Sequence, residues 1–223
     1  MASGRKSIVI ACAVLQEEIE LIKPLASRII YLPQSLHRTP QVLATNVQKE
    51  MDALEPGSAD TVLMAYGLCS NGIVGIKATR GEIIIPRVHD CIGIFLGSFQ
   101  RYLEEQKKSP GTYYLTPGWI RECKDPLGIL EEYRSYLSGE DAEWCIRQEL
   151  KNYKRIALIH IGNTISESTR MRARENARYF GMSYEEIRGS DRLLRKFFRM
   201  ERTDEFVIVP PGESIEPEPF MSQ

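Results

Sequence analysis

The chain carries almost no net charge. Its 29 lysines and arginines offset 30 acidic residues, leaving −1 with histidine neutral. That balance excludes the electrostatic footprint of a nucleic-acid binder or of a protein drawn to an anionic membrane. Long hydrophobic runs are also missing, and no stretch approaches the ~18–20 apolar residues of a membrane span. Cysteine is scarce and odd in number, with five residues at positions 12, 69, 91, 123 and 145. A chain of 223 residues needs no staples to fold. The thiols are therefore expected to be free or metal-bound in the cytoplasm, not paired in a disulfide framework. The basic pair Arg5-Lys6 ahead of Val9-Ile10-Ala11-Cys12 imitates a lipoprotein cleavage site. Only five residues separate Lys6 from Cys12, however, and a signal peptide needs an apolar stretch of ~7–15. The segment reads better as a buried first strand, so export is not expected.

What is present is an ordinary globular composition, 43% hydrophobic and 26% charged, long enough to bury a sizeable core. Short β-rich runs alternate with longer helical patterns. Strands are expected near residues 7–14, 28–32, 60–66, 82–86, 155–161, 184–187 and 205–209. Helices are expected near 15–25, 40–54, 90–107, 126–137, 141–153, 166–180 and 190–200. Thr39-Pro40 supplies a hydroxyl cap and a proline for the first turn of its helix. Residues 109–125 read as an ordered loop, because Tyr113, Tyr114 and Trp119 are not linker residues. Those aromatics form either a lid or the loop's own small core. The proline-rich tail, 210–223, is expected on the surface or disordered.

This alternation implies an α/β fold, Rossmann-like, with a mostly parallel sheet or sheets and helices on both faces. It is read as one domain over 1–209. Two lobes, 1–108 and 150–209, joined by 109–149, are the other arrangement.

In such sheets ligands bind at the carboxyl ends of the strands. All three histidines (37, 89 and 160) and Cys12, Cys69 and Cys91 fall at predicted strand ends. His89-x-Cys91 with Cys69, completed by Cys12 or His37, forms a candidate soft-metal site. Thiolate and imidazole bind zinc, or iron in an iron–sulfur cluster, more firmly than carboxylates do. Asp90 is expected to cap the following helix or to orient His89. The helix start is expected to lower the pKa of Cys91. Cys12 taken alone also reads as a small buried hydrophobe. Cys123 and Cys145 are read as structural, and His160 as a satisfied strand-end residue.

Gly67, Gly72 and Gly75 punctuate a turn expected to lead into a helix. Their spacing matches neither the dinucleotide nor the P-loop fingerprint. Asn71, Gly72 and Arg87 are candidates for holding a small anionic ligand. Arg170, Arg172, Arg174 and Arg178, interleaved with Glu167 and Glu175, read as a solvated, ion-paired helix face. A metal-free enzyme is the further reading, with Cys69 as nucleophile and His89 as base.

Cys12 together with "AYGLCSNG" (65–72), "IPRVHDCIGIFLGS" (85–98) and "GTYYLTPGWI" (111–120) resembles the family DUF1638 over essentially the whole chain. The resemblance implies an anaerobic or methanogenic setting beside corrinoid-dependent methyltransferases, with a corrinoid protein or methyltransferase as partner. The zinc thiol methyltransferases of such systems hold their metal through a His-x-Cys motif and a distant Cys. His89-x-Cys91 with Cys69 has the same ligand types, in another order and on a shorter chain.

Overall fold

The computed structural model describes residues 6–162 and 165–221; Arg5 lies outside them. Along the chain the elements are β1 (Ser7–Cys12), α1 (Gln16–Ile22), β2 (Arg28–Leu32), α2 (Pro40–Asp52), β3 (Thr61–Ala65), β4 (Glu82–Pro86), α3 (Cys91–Leu96) and α4 (Phe99–Lys108). There follow β5 (Thr112–Leu115), α5 (Pro117–Arg121), α6 (Pro126–Arg134), α7 (Gly139–Leu150), β6 (Arg155–His160), α8 (Glu167–Phe180), β7 (Ser183–Arg188), α9 (Arg192–Phe198), β8 (Phe206–Val209) and α10 (Glu218–Met221). The chain divides into two compact units. One comprises residues 1–99 with 191–223, and the other residues 100–190. These limits differ from the lobes read from the sequence, because α9 and β8 return to the first sheet.

The first unit holds a five-stranded sheet in the order β2-β1-β3-β4-β8. All its neighbouring strands are parallel except the β4–β8 pair. Every residue of β1 and β3 is buried, which is why both read as near-continuous apolar runs. From β1 the chain moves outward to β2 on one side and returns to β3 on the other. The order therefore reverses between β1 and β3, and connections that diverge there leave a crevice at the strands' carboxyl ends.

The second unit has a parallel sheet ordered β5-β6-β7. Its core is Leu115, Ile156, Leu158, Ile165, Ala173 and Ala177, with Tyr113 and Trp119 packed against it. Those aromatics are therefore core residues of this unit. Buried Arg155 bonds Thr112 at 2.9 Å and pairs with Glu185. Asp125, 1% exposed at its side chain, receives Arg172 at 2.9 Å and Asn176 at 2.7 Å.

Four local expectations are corrected. The helix foreseen over 90–107 breaks at Gly97, whose φ of 86° ends α3 before α4 begins. Residues 109–125 hold β5 and α5. That strand is only four residues long between Pro-Gly pairs, too short to show a period. Turns, not a helix, follow Gly72. The tail is packed, with Ile215 and Phe220 fully buried. Its backbone pairs with residues 75 and 76 through Gly75 N–H to Ile215 O and Ile215 N–H to Ile76 O, both 2.9 Å.

Candidate functional site

The carboxyl ends of β1, β3 and β4 are built around one close backbone approach. After β3 the chain passes Tyr66 and runs alongside the segment that follows β4. Leu68 N–H donates to Val88 O at 2.9 Å, and Cys69 N–H to His89 O at 2.8 Å. Gly67 allows this, since a Cβ there would meet the Asp90 backbone at 2.7 Å. Cys91 then opens α3, and Asp90 caps it by accepting from Ile92 N–H at 2.9 Å. Asp90 is thus the helix cap of the two roles foreseen. Cys12 closes β1, beside β3.

Immediately after this zipper Cys69, Ser70 and Asn71 adopt φ of 50°, 55° and 65°. Three consecutive non-glycine residues in the left-handed region are expensive, at about 1–3 kcal/mol each where strain is fully felt. A bond from Gly72 N–H to Cys69 O at 2.9 Å closes the turn. Gly72 sits against α2, where a Cβ would strike Leu43 at 2.8 Å. Such strain persists where the surrounding packing enforces it, and it clusters at binding sites.

Cys12, Cys69 and Cys91 are all buried, as is Tyr66. Burial pushes the Cys69 thiol far above its ordinary value. Charge on Asp90 and Cys12 adds to that, and the backbone N–H groups of Gly67 and Cys91 oppose it. Cys91 is raised likewise, by burial and then by Cys69, Asp90 and Cys12. The first-turn position of Cys91 therefore does not lower its pKa, because loss of water outweighs the partial charge of one short turn. The Tyr66 phenol is raised by burial and by Cys12, Cys69 and Cys91 together. Cys12 ends β1, Tyr66 and Cys69 follow β3, and Cys91 follows β4, on the edge where the strand order reverses.

His37, in the turn after β2, lies against Tyr66. Its ring stacks on Tyr66, with centroids 5.7 Å apart and planes inclined by 23°. Nδ1 lies 3.0 Å from Gln34 O. A carbonyl only accepts, so Nδ1 carries the proton and Nε2 a bare lone pair. Burial lowers the His37 pKa, against a smaller opposing effect of the Gln34 bond, so the ring is held neutral. His37 Nε2 and Tyr66 Oη are both buried without a hydrogen-bond partner among the described residues. Buried polar atoms are normally paired, and two orphans on stacked rings call for a partner. The donor types suit a soft cation, with three sulfurs and an unprotonated imidazole nitrogen. Among the described residues, no three His, Cys, Asp or Glu side chains already stand grouped to hold a metal ion.

The other sequence candidates lie elsewhere or are otherwise engaged. The His89 ring packs edge-on against Phe99 at 4.7 Å, while its backbone carbonyl accepts from Cys69 N–H. Asn71 is exposed. The Gly72 N–H is spent on Cys69 O, and Arg87 is half-buried with its backbone N–H on Glu205 O at 2.8 Å. His160 ends β6 in the second sheet, with Nδ1 3.2 Å from Gly162 O. Cys123 and Cys145 belong to the second unit. Tyr66 was missed in the sequence. Its only signal is its place directly after a strand, next to a glycine that the fold cannot replace.

A family model described as "Protein of unknown function (DUF1638)" matches residues 31–198. The match takes in His37, Tyr66, Cys69 and Cys91 and leaves out β1 with Cys12. No curated protein and no solved structure matches the chain.

Proposed function

From the premise that this chain belongs to the DUF1638 family, we propose that it is a metal-binding protein whose ion is held by the thiolates of Cys12, Cys69 and Cys91. What supports this most is that three buried cysteines, Cys12, Cys69 and Cys91, come at or just after the ends of β1, β3 and β4, on the edge where the strand order reverses. Without a cation, burial drives Cys69 and Cys91 toward the neutral form, and the neighbouring acidic groups add to that. A thiophilic ion reverses that cost: each sulfur releases its proton to solvent, and loading rotates the sulfurs onto one point. Zinc suits the set better than an iron–sulfur cluster, which takes four thiolates as a rule. This unit supplies only three, since Cys123 and Cys145 lie in the other.

The metal-free alternative is disfavoured by the same chemistry. A nucleophilic cysteine needs a low pKa and a base, whereas burial raises Cys69 and the acidic Asp90 raises it further. An anion cradle at Gly72 is disfavoured because that N–H is already donated. A corrinoid protein or methyltransferase as partner is a proposal resting on the family resemblance alone.

The test is anaerobic purification of the full chain followed by elemental analysis and an absorption spectrum. Zinc at about one ion per chain is expected, with loss of that zinc in Cys69→Ser and Cys91→Ser proteins of unchanged circular dichroism. A well-folded, fully reduced wild-type chain that takes up no zinc on titration overturns the reading.

A further inference from the structure

The metal reading uses three sulfurs and leaves two buried polar atoms of the same sheet edge unused, His37 Nε2 and Tyr66 Oη. We infer that these two atoms form a recognition site for an uncharged small molecule with an N–H beside a carbonyl, as in an amide or lactam. The ligand N–H donates to His37 Nε2, and Tyr66 Oη donates to the ligand carbonyl. The inference goes beyond the metal reading and does not depend on it.

Position comes first. β2 and β3 flank β1 on opposite sides, so their ends lie two strand spacings apart, about 9–10 Å. The stack of His37 on Tyr66, with centroids 5.7 Å apart, therefore crosses the carboxyl end of β1. That is beside the reversal of strand order, where open parallel sheets bind ligands. The residues around His37 in its turn, Ser35, Arg38 and Thr39, are exposed, so solvent reaches the site from the β2 side. The donor roles are also set. Nδ1 lies 3.0 Å from the Gln34 carbonyl and carries the proton, which leaves Nε2 as an acceptor only. Tyr66 is 1% exposed, and its Oη has no partner among the described residues. Burial keeps both rings uncharged, since it lowers the His37 pKa and raises that of Tyr66. Neither ring offers an ion a compensating charge, and an ion costs far more to bury than a neutral group. A group that is donor and acceptor at once, and neutral, fits both atoms.

Two buried polar atoms without partners are a standing cost to the empty fold, and hydrogen bonds to a ligand recover it. Stability and binding should therefore move in opposite directions. Removing Oη alone should spare or raise the stability of the ligand-free protein and weaken its binding. A phenol kept for the fold itself would behave the other way round.

The experiment titrates the ¹⁵N-labelled full-length protein with 2-pyridone, which is planar and uncharged and has its N–H next to its carbonyl. Wild type should bind it at about 1 mM, as so small a ligand allows. The His37 Nε2 resonance should shift and that of His160 should not. N-methyl-2-pyridone, which lacks the donor, and benzoate, which is charged, should each bind at least roughly tenfold more weakly. Tyr66→Phe should lose roughly tenfold in affinity for 2-pyridone, while its ligand-free denaturation midpoint stays at or above that of wild type. His37→Phe, which keeps the stack, should lose affinity to a similar degree. The inference is overturned if 2-pyridone leaves the His37 resonance in place or binds no better than its N-methyl form. It is equally overturned if Tyr66→Phe lowers the midpoint or fails to fold, the result expected where a buried water alone completes Oη. Zinc content of the same samples reads the metal proposal separately.

Discussion

The two sheets in this chain end in opposite ways. At the carboxyl edge of β6 and β7, polar side chains satisfy one another. Glu186 accepts from Arg170 at 3.2 Å and from Tyr184 at 3.0 Å, and His160 bonds Gly162 O. At the edge of β1 and β3, Tyr66 Oη and His37 Nε2 are buried without a hydrogen-bond partner among the described residues, on the edge that also carries the strained left-handed turn. A self-satisfied edge is explained by stability alone. An edge that keeps orphan polar groups under strain is explained by something from outside that completes it.

The comparison breaks most sharply on metal content. Cys69→Ser should abolish zinc binding, whereas Cys145→Ser in the second unit should leave it at about one ion per chain, as read by elemental analysis. Equal losses in both would remove the distinction between the edges. Next in size is Gly67→Ala. Its Cβ would lie 2.7 Å from the Asp90 backbone, so about 1–3 kcal/mol of stability should be lost, together with metal affinity. The paired change in the second unit is Asp125→Ala, which removes a buried acceptor shared by Arg172 and Asn176. It should cost about 2–3 kcal/mol in denaturant unfolding while zinc affinity stays unchanged.

The smallest effect concerns acid. Burial works to raise the Glu186 pKa, but the bonds from Arg170 and Tyr184 outweigh it and hold the carboxyl below its ordinary value. A depressed carboxyl contributes stability that is present above the unfolded pKa of ~4.3 and is lost as pH falls through the lower folded value. Glu186→Gln should therefore flatten the loss of stability below about pH 4.3. Glu205, depressed in the same way by Arg192 and Lys196 against burial, should do the same for the first unit. Unfolding curves between neutral pH and pH 3 check both.

Much of this architecture was legible in the sequence. The strands at 28–32 and 82–86 fall where expected, because apolar runs flanked by breakers leave few other choices. The mostly parallel sheet followed from the alternation with helices. Hidden from the sequence were β5, too short to carry a period, and the return of α9 and β8 to the first sheet. Cysteines 12, 69 and 91 were marked in advance by their positions at strand ends. His37 was marked only as an alternative, and Tyr66 not at all.

Local chemistry therefore determined the elements and the pool of soft donors, since both depend on residues adjacent in the chain. Which of them come to one edge was decided only by strand order and by the close approach of Gly67 to Asp90. A Cys and a His two positions apart at a helix start point in different directions. Residues fifty apart meet when parallel strands end at the same edge, and no spacing rule along one chain encodes that.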